Sequence, residues 1–96
     1  MAFFTTRVEL HDAKTAEDYE KLHTEMAKDG FERTVQKTGE PAYHLPTAEY
    51  NLNSEKNSSL VLDLAKKAAT RTGKKFSVLV TKVDGSREWY NLKPVK

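Results

Sequence analysis

With no cysteine among its 96 residues, this chain has only its three histidines, His11, His23 and His44, to move protons near neutral pH. An imidazole has an unperturbed pKa of about 6.5, which suits it to act as base or acid at working pH. RNA cleavage without a metal needs a base for the 2′-hydroxyl proton, an acid for the leaving oxygen, and a cation for the charge that builds on phosphorus. His11 and His44 are the candidates for the first two tasks and Arg7 for the third. They can act together only if their strands lie side by side with both rings on one face. His23 falls on the apolar stripe of a helix and reads as a half-buried structural residue. Asp12, with Glu9 or Asp84, is too sparse a carboxylate set for a divalent ion, since metal sites for phosphoryl chemistry gather several. Asp12 reads better as a turn residue, and the chain is expected to need no metal and no cofactor.

A second kind of chemistry is attraction for a polyanion. Residues 1–63 carry seven basic and twelve acidic side chains, whereas residues 64–96 carry nine basic and two acidic ones. Such polarity can steer a polyanion to one side of a domain. Lys66, Lys67, Arg71, Lys74 and Lys75 cluster within ten residues, and Arg87, Trp89, Tyr90, Lys93 and Lys96 follow. Positive charge interleaved with aromatic rings is what binds single-stranded nucleic acid. The expected RNA-binding set is Lys66, Lys67, Arg71, Lys74, Lys75, Arg87 and Tyr90. Trp89, like most tryptophans of small domains, is expected in the core.

The elements that must position these residues follow from periodicity. Residues 2–11 read as a strand, with Phe4, Thr6, Val8 and Leu10 on one face and Phe3, Thr5, Arg7, Glu9 and His11 on the other. Residues 16–29 read as a helix with Thr15 at its start and Gly30 at its end. Tyr19, Leu22, His23 and Met26 form its apolar stripe. Residues 31–37 read as a short strand, residues 38–41 as a turn, and residues 42–45 as a third strand that Pro46 limits and that Tyr50 and Leu52 resume. Asn51 to Ser59 looks polar and loop-like. A second helix spans about 58–72 and ends at Gly73. Residues 76–83 form the most apolar strand, Asp84-Gly85 a tight turn, and residues 87–92 a returning fifth strand.

This order predicts one α+β domain over residues 1–96: a ferredoxin-like βαββαβ sandwich with an additional C-terminal hairpin strand. In that fold the first and third strands are neighbours, which would bring His11 and His44 together on the open face. The length suits one domain and not two. No apolar run approaches a membrane span, the N-terminus does not read as a signal peptide, and the lack of cysteine fits a cytoplasmic setting. There is no glycine-rich phosphate loop and no nucleophile elbow.

The segments 5–10 (TTRVEL), 18–23 (DYEKLH), 43–51 (YHLPTAEYN) and 72–80 (TGKKFSVLV) resemble small enterobacterial and phage-borne proteins grouped with the GhoS family, antitoxins of type V toxin–antitoxin systems. The resemblance covers nearly the whole chain. It implies a ferredoxin-like fold similar to small CRISPR-associated nucleases, and a sequence-selective endoribonuclease acting on the messenger of a membrane-damaging toxin. It carries no catalytic residue onto a position of this chain. A non-catalytic module binding nucleic acid or a protein, of prophage origin, is the alternative. A homodimer formed through the open sheet face or an edge strand is a third reading.

Overall fold

A computed structural model describes residues 2–95. Seven elements follow in the order β1 (Ala2–His11), α1 (Ala16–Lys28), β2 (Thr34–Val35), β3 (Tyr43–His44), β4 (Glu49–Ser54), α2 (Ser58–Thr70) and β5 (Lys75–Lys82). The fold is α+β. A three-stranded antiparallel sheet has the order β4-β1-β5, and β2 and β3 pair as a second, two-stranded sheet. The isolated bridge Glu32↔Asn51 ties the start of the β2 segment to β4. Among the described residues no helix is long and apolar enough to cross a membrane.

β1 is central because it can face two ways. Phe4, Thr6, Val8 and Leu10 alternate inward and are buried, while Phe3, Arg7, Glu9 and His11 are exposed on the other side. It pairs with β4 from Ala2↔Ser54 to Arg7↔Glu49 and with β5 from Phe4↔Lys82 to His11↔Lys75. Leu22 and Met26 of α1, and Val61, Ala65, Ala68 and Ala69 of α2, complete a core with Phe4, Val8, Tyr50 and Leu52. The alanines on α2 let its backbone lie close to the sheet.

Local signals set the helix ends. At the start of α1, Asp18 Oδ2 accepts from the backbone N–H of Lys14 at 2.8 Å and of Thr15 at 3.3 Å. Those hydrogen bonds, the one from Lys14 foremost, hold the Asp18 carboxyl below its ordinary range. At the other end Gly30 takes φ +91°, and Phe31 N–H reaches back to Met26 O, the hydrogen-bond pattern of a Schellman stop. Asn57 caps α2 by accepting from Leu60 N–H at 2.9 Å.

Two expectations need correction. The stretch expected as loop from Asn51 onward holds residues 51–54 of β4, a neighbour of the central strand. Its polarity is one-sided: Tyr50 and Leu52 point into the core, and Asn51 and Asn53 point away. Pro46 and the left-handed Ala48 (φ +69°) separate β3 from β4, so they are two strands and not one interrupted strand. The second correction concerns the C-terminal hairpin strand, which does not form. Residues 93–95 instead pair beside β3, through the bridge Tyr43↔Pro94 and the bonds from His44 N–H to Lys93 O and from Val95 N–H to Ala42 O. β5 edges one sheet and β3 belongs to the other, so residues 84–92 must cross the open face between them. Crossing gives Arg87 and Trp89 partners on the body of the domain that a solvent-facing hairpin would lack.

One core group is unsatisfied. Thr6 is fully buried on β1, and its hydroxyl has no hydrogen-bond partner among the described residues. Leaving such a group without a partner costs about 1–3 kcal/mol. Thr6→Val should therefore raise stability by about 1–2 kcal/mol in urea denaturation, reversing the usual sign of a core change. A neutral or destabilising result would mean that the hydroxyl is bonded.

Candidate nucleic-acid interface

The face of the three-stranded sheet turned away from the helices is the candidate site. β1 contributes Phe3, Thr5, Arg7, Glu9 and His11. The register sets Glu49 and Leu79 on either side of Arg7, Ser77 beside Glu9 and Lys75 beside His11. His11 Nε2 lies 2.8 Å from Ser77 Oγ and 3.9 Å from Glu9 Oε1. Arg7 Nη1 lies 4.0 Å from Glu49 Oε1, an exposed pair of little energetic weight. Arg7, His11 and Lys75 thus share one face, as alternation in β1 predicted for the first two.

His44 is not with them. It lies on β3, which pairs with β2 and not with β1. Its neighbour Tyr43 packs on Trp89 of the crossing segment, with ring centroids 5.7 Å apart, and Leu45 lines a cleft with Thr5 and Glu49. Tyr43 and Leu45 therefore turn toward the open face, and alternation directs His44 to the opposite side. The expected catalytic pairing of His11 with His44, aided by Arg7, is not formed. The expectation required the two strands to lie side by side with both rings on one face; β3 pairs with β2 instead, and Trp89 of the crossing segment gives Tyr43 its apolar partner.

The expected RNA-binding set is also divided. Arg71 is a clamp between the helices: its Nε donates to Glu25 Oε1 at 2.6 Å and its Nη2 to Asp29 Oδ2 at 2.7 Å. Those hydrogen bonds, to Asp29 first and Glu25 second, raise the basicity of the guanidinium, and the one from Arg71 holds the Glu25 carboxyl below its usual range. Lys74 Nζ sits 3.8 Å from Asp18 Oδ2. Lys66 and Lys67 are exposed on α2, on the side of the domain that the sheet separates from Arg87 and Tyr90. Lys75 alone of the helix-end cluster joins the open face. Lys96 lies outside the described residues.

Arg87 pins the crossing segment. Its Nη1 donates to Asn51 Oδ1 at 2.9 Å and approaches Thr5 Oγ1 at 3.5 Å, and its guanidinium lies 5.3 Å from the centre of the Phe3 ring. Burial draws its pKa below the ordinary value. Trp89 is not in the main core. It packs on Tyr43, and the Lys37 ammonium lies 5.0 Å from the centre of its ring and 3.0 Å from Glu88. Tyr90 is 92% exposed. Between the segment and the sheet lies a cleft of about 400 Å³, bounded by Thr5 and Glu49 below and by Arg87, Trp89 and Tyr90 above. Glu49, Asn51 and Lys37 were not among the expected site residues. The alternation Tyr50-Asn51-Leu52-Asn53 was the signal that could have set the first two on this face. Nothing in the sequence joins Lys37 to Trp89.

No protein-family model matches this chain, and no curated protein is similar to it.

Proposed function

We propose that this chain is a single-stranded-RNA-binding domain with a ferredoxin-like arrangement, allied to the GhoS-like antitoxins and binding RNA without cutting it. The observation that carries the reading is Tyr90, a fully presented aromatic ring beside a cleft on the open sheet face, with Arg7 and Lys75 on the same face. A base can stack on the ring while phosphates meet the cations, and base–aromatic stacking contributes about 1–3 kcal/mol per base. The bridge Glu32↔Asn51 supports the ferredoxin-like arrangement, since it sets β2 beside β4 and gives the lateral order β5, β1, β4, β2. Binding is favoured over cleavage because His11 has a carboxylate and a hydroxyl beside it but no second imidazole on its face.

Three results are expected. In EDTA the protein shifts single-stranded RNA in a gel and leaves it intact. Two or three phosphate contacts give a slope of log K against log salt of roughly −1.4 to −2.1. Tyr90→Ala weakens binding about tenfold, whereas Lys66→Ala with Lys67→Ala leaves it unchanged. Discrete cleavage products that vanish in His11→Ala would overturn the binding-only reading, and equal loss from the α2 lysines would move the site to the helices.

A further inference from the structure

We infer, resting on the single-stranded-RNA reading, that the cleft under the crossing segment selects a guanine base, and that Glu49 is the residue that reads it. Its volume, about 400 Å³, lies within the range of small-molecule sites, roughly 300–1,000 Å³. Its sheet-side wall holds a carboxylate, Glu49, whose side chain is 25% exposed. Among the described residues the charged partner of that carboxylate is Arg7, at 4.0 Å, beyond hydrogen-bond range. Both oxygens therefore keep their capacity to accept. The other acidic residue at the cleft, Glu88, is already paired with Lys37 at 3.0 Å.

A carboxylate that accepts through both oxygens fits a ligand with two adjacent N–H donors. Among the four RNA bases, guanine alone offers two adjacent donors on its Watson–Crick edge, the ring N1–H and the exocyclic amine. Adenine and cytosine offer one donor beside an acceptor, and uracil one donor between two acceptors. Each would set an acceptor against the Glu49 carboxylate. Tyr90 supplies the stacking surface at the mouth of the cleft. The Trp89 ring is held by Tyr43 and Lys37 and forms a wall.

Trp89 is the sole tryptophan of the chain, so its fluorescence reports on the cleft. Titration with GMP should give a saturable change in that fluorescence, with AMP about tenfold weaker or more. IMP, which lacks the exocyclic amine, should fall between them. Glu49→Gln should abolish the preference for GMP over AMP. Tyr90→Ala, at an exposed position that folding does not need, should weaken GMP several-fold. Equal affinity for GMP and AMP, no response to GMP, or an unchanged preference in Glu49→Gln would each overturn the inference. Single-stranded RNA oligomers with and without guanine separate its failure from that of the RNA reading. Equal binding of both oligomers defeats guanine selection alone, and binding of neither defeats both.

Discussion

Phe4→Ala is expected to cost the fold about 3–5 kcal/mol, the range for removing a buried aromatic ring from a core. A domain of this length has only about 5–14 kcal/mol of stability in all. The ring is fully buried within the cluster that α1, α2, β1 and β4 share. Its residue also sits where both ladders meet, opposite Leu52 on one side and Lys82 on the other. The cavity would open at the middle of the sheet, where the strands on either side limit collapse. In urea the midpoint should fall by roughly 2 M with little change of slope. Phe3→Ala, one residue earlier, is the contrast. Phe3 is 44% exposed on the opposite face and meets the Arg87 guanidinium. Its loss should cost only about 0.5–1 kcal/mol, the worth of an exposed cation–π contact. Equal losses at the two positions would sink the two-faced assignment of β1 on which the candidate interface depends.

That contrast is legible in the sequence alone, because strict alternation over ten residues can satisfy only one arrangement. Both helices were legible for a similar reason, an apolar 3.6-residue period closed by a glycine, Gly30 for α1 and Gly73 for α2, although the Asn57 cap of α2 was not read. β4 was not. Asn51, Asn53 and Ser54 look like a loop until it is known that Asn51 receives Arg87 from 36 residues away. The path of residues 84–95 was hidden for the same reason. Asp84-Gly85 signals a turn, but whether the chain then pairs with β5 or crosses the sheet depends on Tyr43, Phe3 and Asn51, none of them local.

The candidate site divides along the same line. Arg7 and His11 were read onto the open face because their strand is regular. Lys74 and Lys75 are adjacent in sequence, yet one approaches Asp18 of α1 and the other lies beside His11 on the open face. Clustering along the chain was a poor guide to clustering in space, because a helix end and a strand start point their side chains to different sides of the domain. Arg71 looked available for phosphate because its partners, Glu25 and Asp29, lie more than 40 residues earlier. The pairing of His11 with His44 failed on two counts: the strand of His44 pairs with β2 and not with β1, and the crossing segment draws Tyr43, not His44, to the open face.

His23→Ala should lower stability by about 2–3 kcal/mol and also remove a pH dependence. The His23 ring is buried, and its Nδ1 lies 2.5 Å from the Tyr50 hydroxyl, itself wholly buried. Truncation leaves that hydroxyl without its partner, a loss of about 1–3 kcal/mol, and empties the space of the ring. Burial first, and the nearby Arg33 second, draw the His23 pKa below its ordinary value, while Glu20 opposes them weakly. A base with a lowered folded pKa is protonated first in the unfolded chain. Its contribution to stability is whole above pH 6.5, drains as the pH falls from there toward the lower folded value, and then levels off. The carboxylates of Asp18 and Glu25, held below their ordinary values, begin to lose their contributions only below the ordinary carboxylate range, after the loss from His23 has begun. Urea midpoints measured from pH 7.5 to pH 5 should fall for the native chain and stay level for His23→Ala. The double variant His23→Leu with Tyr50→Phe removes donor and acceptor together and should recover most of the loss, since a buried pair replaced by apolar groups leaves nothing unsatisfied. If the double variant were less stable than His23→Ala, the hydroxyl–imidazole contact would not be the source of the effect.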